Sequence, residues 1–366
     1  MAGERLSLRE KLCYALGDAS ANIAWRGICT FLLVFYTDVV GLKAAAVATL
    51  MLVVRSLDGV TDVLMGVIGD RTRSRYGKFR PWILWTAIPL AVILSLTFTC
   101  PPGVGATGKL VYAYATYILF TLVYTANNIP YGALMAVMTG DDRERASIGS
   151  FRMAGAFAGG MLVQGLLLYL KDCFGSYSIP IYIMSVVLAG CLLVTFWGTK
   201  ERVEPPADQG SDILADLRQL VTNWPWVVLL VVGLLFNVYN AVRQGITVIY
   251  FTHYMHREVL CSAFLTAIMV ASIGGALATG LVYSAGSFAT KFGGGVAGFI
   301  IGIVLARYGY DGKDAEAIAG ALPGIRLLMG LIPSAIAAGT AFLMVLYPLS
   351  DRRLSEITEE LSRRRG

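Results

Sequence analysis

The sequence predicts an all-α, polytopic membrane protein, and three observations carry that prediction. Of 366 residues, 56% are hydrophobic and only 15% are charged, with a mean hydropathy of +0.66. The charges bunch between apolar runs of about twenty residues or more, the length a helix needs to cross a bilayer core. The bases alternate between rich and poor gaps along the chain, as multi-span topology requires.

Taken in order, apolar runs place spans at 12–36, 43–69, 82–100, 110–138, 147–170 and 179–198. These make residues 1–200 an N-terminal six-helix bundle. The polar segment 201–223, with Glu201, Arg202, Pro205, Pro206, Asp208 and Gly210, is expected to be a cytoplasmic linker. Spans at 224–251 and 322–348 follow. Between them Ser262–Ala306 holds one charge, Lys291. As a single helix that stretch would measure about 67 Å, more than twice the hydrocarbon thickness. It is therefore expected to form two spans turning near Gly274–Gly280. Residues 224–350 then make an incomplete bundle of about four helices, followed by a basic cytoplasmic tail at 351–366. The total is ten.

An internal N-terminus puts 18 bases on the cytoplasmic side and 6 outside, and leaves six within spans: Arg26, Arg55, Arg152, Arg243, Lys291 and Arg326. Both termini are accordingly expected in the cytoplasm. The net charge of +6 is explained by membrane orientation, and nucleic acid is not an expected partner; membrane lipid is. The six cysteines show no CxxC or ligand spacing, so no metal and no cofactor is expected, and they read as apolar fillers. The polar first eleven residues lead into the first span without a small-residue cleavage site, so that span is expected to remain. No Ser/His/Asp set, HExxH or phosphate loop stands out, and an enzyme is not expected.

The charges inside the second span carry most information. At 100° per residue Arg55, Asp58 and Asp62 fall within about 60° of one another, on a face that cannot meet lipid. Each ionised residue near a bilayer centre costs about 2.5–3.5 kcal/mol unless it finds a partner or lines a wet path. Two carboxylates on one buried face need a cation. The first span groups Asp18, Asn22, Trp25, Arg26 and Cys29; the fourth repeats Tyr117, Thr121, Tyr124, Asn128 and Tyr131, with Thr125 and Asn127 beside them; the seventh carries Asn237, Asn240, Gln244 and Thr247. Amides bond hydroxyls and aromatic planes stack on a pyranose, so together the stripes suggest a sugar cavity. Taken singly, each polar group could merely bridge helices. Arg152 and Arg326 lie near helix ends and could snorkel. His253 and His256 are expected to be a solvated pair, and Gly294, Gly298 and Gly302 a close-packing ridge.

Read together, KLCYALGDASANIAW (Lys11 to Trp25), FYTDVVGL (Phe35 to Leu42), RSLDGVTDVLMGVIGDRTRSRYGKFRPW (Arg55 to Trp82) and YTANNIPYGAL (Tyr124 to Leu134) resemble the glycoside-pentoside-hexuronide:cation symporters of the major facilitator superfamily. The resemblance continues through FNVYNAVRQG and YFTHYM, and resumes in LVYSAGSFATKFGGGVAGFIIG and GIRLLMGLIPS. It implies major facilitator-type bundles, with Asp58, Asp62 and Thr125 at a cation site for Na⁺ or H⁺, Thr61 beside them, and Lys291 as a cavity cation. It also implies that Asp70, Arg71 and Arg75 clamp the bundles at the cytoplasmic side. Asn22 and Asn128 stand where a sugar-binding family member has carboxylates, and Gly132 where it has a stacking tryptophan. Family members carry twelve spans, so counterparts of the ninth and tenth are missing near Gly280.

The expected function is secondary active symport of a glycoside, pentoside or hexuronide with a monovalent cation across the cytoplasmic membrane, by alternating access. Asp18, Asn22, Arg26, Tyr124, Asn128, Arg152 and Lys291 would contact or flank the sugar. The gap keeps two alternatives in view, an inactive or binding-only truncated transporter and a lipid or lysolipid carrier.

Overall fold

The computed structural model describes residues 6–203, 222, 224–278 and 286–345, and no β-strand occurs among them. Helix α1 runs Leu8–Val34, with the Ser7 hydroxyl accepting from the Glu10 N–H at its start. A π-helical turn, Phe35–Val40, extends it to Gly41, which takes a left-handed φ of +80°. Then come α2 (Ala44–Arg71), α3 (Arg80–Thr97), α4 (Ala106–Met138), α5 (Asp142–Phe174) and α6 (Ser178–Gly198). After the linker stand α7 (Trp224–Ile249, prolonged by the π turn Tyr250–Tyr254), α8 (Glu258–Ala278) and α9 (Gly286–Arg307). A last rod joins α10 (Ala315–Arg326) through the π turn Leu327–Leu331 to α11 (Ile332–Val345). Most of the expected linker and the whole basic tail lie outside the described residues.

Among the described residues, six stretches are long and apolar enough to cross a membrane: Leu8–Val40, Arg80–Thr97, Ala106–Met138, Arg143–Phe174, Ser178–Gly198 and Ala315–Leu343. The stretch expected to fold as a hairpin contributes two helices, α8 and α9; residues 274–278 are still helical, and the rest of the expected turn lies outside the described residues. Large apolar side chains such as Trp197, Val186 and Val63 point outward. That suits a hydrocarbon surround and would be costly in water.

Helix α1 packs on α5, α6 and α7, while α2 packs on α4 and α9, and α5 on α8. Small residues set the closest approaches, because helices in lipid gain by packing backbone on backbone. A Cβ at Gly155 would come within 2.1 Å of the Ala15 carbonyl oxygen, and one at Gly159 within 2.2 Å of that of Ala19. The glycine ridge of α9 is real: Gly298 and Gly302 pack as expected, and Gly295 joins them in closer contact than Gly294. Gly295, Gly298 and Gly302 meet Arg55, Met51 and Ala48 of α2, whereas Gly294 stands 3.9 Å from the Arg55 Nε.

Candidate functional site

The acid pair of α2 converges on one hydroxyl. Thr125 of α4 places its Oγ1 2.8 Å from Asp58 Oδ1 and 3.2 Å from Asp62 Oδ1. Asp58 is fully buried and Asp62 half-buried. A hydroxyl has one proton to donate, so it serves two carboxylates only in part. A hard monovalent cation or a proton suits a place where two carboxylates meet. Arg55 contributes without filling the site: its Nη1 lies 3.8 Å from Asp58 Oδ2, too far for a hydrogen bond. Its stem passes where Gly295 of α9 has no side chain; a Cβ there would sit 2.5 Å from the Arg55 Cβ. The guanidinium lies 3.9 Å from the Trp25 ring centroid and donates from Nη2 to Cys29 Sγ at 3.7 Å. The Thr61 hydroxyl turns the other way, donating to the Asp58 carbonyl at 3.0 Å.

A second buried acid faces a different partner. Arg152 of α5 brings its Nε to 3.1 Å from Asp18 Oδ2 and lies over Tyr131 at 5.4 Å. Arg152 therefore joins the interior instead of snorkelling. Tyr131 stacks on Tyr14 at 4.7 Å, and each ring hydroxyl donates to the other residue's carbonyl. Tyr124 is buried and stacks on Trp25 at 5.5 Å. Arg26 and Asn128 are half-buried. Asn22 donates its amide to the Asp18 carbonyl. Asn127 faces α3, donating to Thr86 Oγ1 at 2.7 Å, and is a helix bridge. The α7 stripe is turned inward on itself, for Asn237, Asn240 and Thr247 donate to carbonyls four residues earlier. The Lys291 side chain lies outside the described residues.

Polar contacts hold both ends of the helices. At the N-terminal end Asp70 pairs with Lys78 at 3.0 Å, Arg75 lies over Tyr76 at 4.6 Å, and Arg71 is exposed. The stronger device there is Glu201, which sequence reasoning left in the linker. Its carboxylate accepts the backbone N–H groups of Lys78, Phe79 and Arg80 at 2.8–2.9 Å, satisfying the start of α3. Gly77, at φ +106°, makes room, because a Cβ would lie 2.5 Å from the Glu201 carboxyl carbon. Glu10 grips Arg202 with both oxygens, and Lys11 pairs with Glu144.

At the opposite end His253 is not part of a solvated pair. Its Nε2 lies 2.8 Å from Asp38 Oδ2, and Tyr310 donates to Asp38 Oδ1 at 2.9 Å. Burial, and then the Asp38 charge, push the Tyr310 phenol far above its ordinary range, which keeps it a donor. Lys171 pairs with Glu258 between α5 and α8. A base and an acid so far apart in sequence leave no local signal.

Comparison with known proteins completes the picture. The MFS/sugar transport protein family matches residues 13–279 and 274–351. The inner membrane symporter YicJ of Escherichia coli is 41% identical over 288 residues, covering 76% of this chain and 62% of YicJ. The isoprimeverose transporter of Lactiplantibacillus pentosus is 34% identical over 271 residues, covering 72% of this chain and 56% of that protein. The uncharacterized symporter YnaJ of Bacillus subtilis is 30% identical over 446 residues, 99% of this chain and 96% of YnaJ. That alignment is far longer than the chain, so YnaJ holds an internal segment with no counterpart here. The two family matches meet at 274–279, which agrees with a gap near Gly280. Among solved structures, a proton dependent oligopeptide transporter superposes with a TM-score of 0.59 at 11% identity, covering 93% of this chain and 98% of that one. A bacterial homolog of the lysosomal transporter Spinster gives 0.55 at 11% identity, covering 92% and 95%. These likenesses establish a shared fold. The protein is a multi-pass plasma membrane protein and a sugar symporter, not an enzyme. It belongs to the glycoside-pentoside-hexuronide:cation symporter family of the major facilitator superfamily.

Proposed function

We propose that the chain couples inward movement of Na⁺ or H⁺ to uptake of a glycoside, pentoside or hexuronide by alternating access. The observation that carries this reading is the Thr125 hydroxyl shared by Asp58 and Asp62 in the interior. Asp58 and Asp62 bind the cation, with Thr125 as neutral neighbour and Thr61 ordering the helix beside them. Asp18, Asn22, Arg26, Tyr124, Asn128, Arg152 and Lys291 contact or flank the sugar. The six helices of residues 1–200 form one bundle and those of 224–350 a shorter one, rocking about the site with both termini in the cytoplasm. Asp70, Arg71 and Arg75, joined by Glu201, act at the cytoplasmic gate. The names of the isoprimeverose transporter and of a glucuronide carrier protein homolog from Escherichia coli support a glycoside or hexuronide substrate. Uptake of a panel of labelled glycosides into vesicles, with and without Na⁺ and a pH gradient, tests it. Gradient-dependent accumulation that vanishes in Asp58→Asn is the expected result; accumulation indifferent to both ions would refute the coupling.

The family match in two pieces favours one rival, a truncated protein that binds sugar without pumping it. Saturable glycoside binding with neither accumulation nor counterflow would select that rival.

A further inference from the structure

Asp38 stands in the π turn that ends α1 and His253 in the π turn that ends α7, so their contact joins the first part of the chain to the second. The imidazole Nε2 lies 2.8 Å from Asp38 Oδ2, and the two side chains keep only 14% and 15% of their surface exposed. Tyr310, in the turn after α9, donates to Asp38 Oδ1 at 2.9 Å, and its ring centroid lies 5.8 Å from that of the imidazole. The fit is close, because a Cβ at Gly312 would collide with the Asp38 carboxylate. At the other end of the helices, the ion pairs of Glu10 with Arg202, Lys11 with Glu144 and Asp70 with Lys78 fall within residues 10–202.

Imidazole is the side chain that ordinarily gains or loses its charge between pH 5 and 8. The other charged groups around the contact have places of their own. Lys313 lies against Gly41, Lys109 of α4 donates to the Val40 carbonyl, and Glu258 of α8 pairs with Lys171 of α5, whose ammonium also faces Tyr177 before α6. Burial raises the Tyr177 and Tyr310 phenols far above their ordinary range, so both stay neutral. On the α7 side Tyr254 stacks on Tyr250 and lies under Arg326 of α10. His256, Arg257 and Asp311 are exposed.

We propose that Asp38 and His253 form a proton-operated latch between the two bundles, closed most firmly when the imidazole is protonated. The inference rests on the reading above for the rocking bundles and for which end is external. A neutral imidazole can give Asp38 one ordinary N–H hydrogen bond. A protonated one sets a full positive charge against a carboxylate in a poorly hydrated place, and such a bond is about twice as strong. Acid outside therefore holds the outer end shut, and closure slackens as pH rises through the histidine range.

The test reads the gate without sugar or transport. Spin labels go on cysteines introduced at the exposed positions Thr107, at the start of α4, and Glu316, at the start of α10, in the full chain with its six native cysteines replaced. Double electron–electron resonance then measures the distance between the labels at pH 5.5 and pH 8. With His253 present, the ratio of long to short separations is expected to be about 3- to 30-fold lower at pH 5.5, the difference between a charged and a neutral hydrogen bond. His253→Gln keeps a donor that never gains charge, and should show the same distribution at both pH values. Asp38→Asn keeps an acceptor without charge and should lose the response as well, whereas His256→Gln should retain it. A full response in His253→Gln, the result expected if the acid pair of α2 were the sensor, would overturn the latch, as would no response with both residues in place. Where His253→Gln fails to fold, a full response in Asp38→Asn overturns it equally. A protein that shows this response yet never accumulates glycoside in vesicles would sink symport and leave the latch standing.

Discussion

Asp18 and Asp58 are both carboxylates buried in the interior of a membrane protein, yet each has been given a different kind of arginine. Asp18 receives Arg152 at hydrogen-bonding distance, 3.1 Å. Asp58 has Arg55 at 3.8 Å and shares the Thr125 hydroxyl with a second acid. Direct pairing neutralises a charge and fixes it in place, whereas the acid pair of α2 meets its base beyond hydrogen-bonding distance and divides one hydroxyl between two carboxylates. That contrast is why the exchangeable cation is proposed for Asp58 and Asp62, and a fixed place in the cavity wall for Asp18.

Substitutions can break or sharpen this contrast. The largest effect is expected from Asp58→Asn, which should lower gradient-driven glycoside uptake by two orders of magnitude or more, matching loss of about 3 kcal/mol of charged-ligand interaction. Vesicle uptake reads this directly. Asp18→Asn should act differently, because it strands the Arg152 charge and costs about 3–5 kcal/mol of stability. The double variant Asp18→Asn with Arg152→Gln should recover much of that loss, as judged by thermal unfolding in detergent. Failure of the double variant to recover would put Asp18 among the exchangeable acids. Thr125→Ala should weaken the cation half-saturation about 10- to 100-fold while leaving the maximal uptake rate largely intact, the value of a hydrogen bond to a charged group. The smallest effect is expected outside both sites. Gly77→Ala introduces strain at φ +106° and pushes on Glu201, which should cost about 1–3 kcal/mol in stability with little change in cation half-saturation.

The sequence made the second span legible because three charges in an apolar run can share a face only through helical periodicity, and Thr125 entered through the family resemblance. Division of Ser262–Ala306 into α8 and α9 followed from length alone. What stayed hidden depends on long-range approach. Asp38 and His253 are 215 residues apart, and nothing near His253 announces a carboxylate. Glu201 sits in a polar segment whose composition resembles any linker, and only the fold brings it to the exposed N–H groups of α3. Three consecutive glycines, Gly293 to Gly295, leave the first step of the α9 ridge ambiguous in sequence, so Gly295 and not Gly294 makes the closest approach, while Gly298 and Gly302 are as expected. The polar groups of α7 look like a cavity wall in sequence, but three of them bond their own helix. Snorkelling and pairing are equally open to Arg152 until α5 is laid against α1.

The account stands on cation and sugar crossing together through the Asp58 and Asp62 pair. The most direct measurement follows labelled glycoside and the coupling ion at once in proteoliposomes, with labelled Na⁺ and an internal pH indicator, for the intact protein and for Asp58→Asn and Asp62→Asn. The prediction is that a fixed ratio of one of these ions to sugar enters the intact protein, and that both variants lose the ion flux together with accumulation. Sugar accumulation that proceeds with neither ion, or an ion-to-sugar ratio unchanged in the two variants, would contradict it.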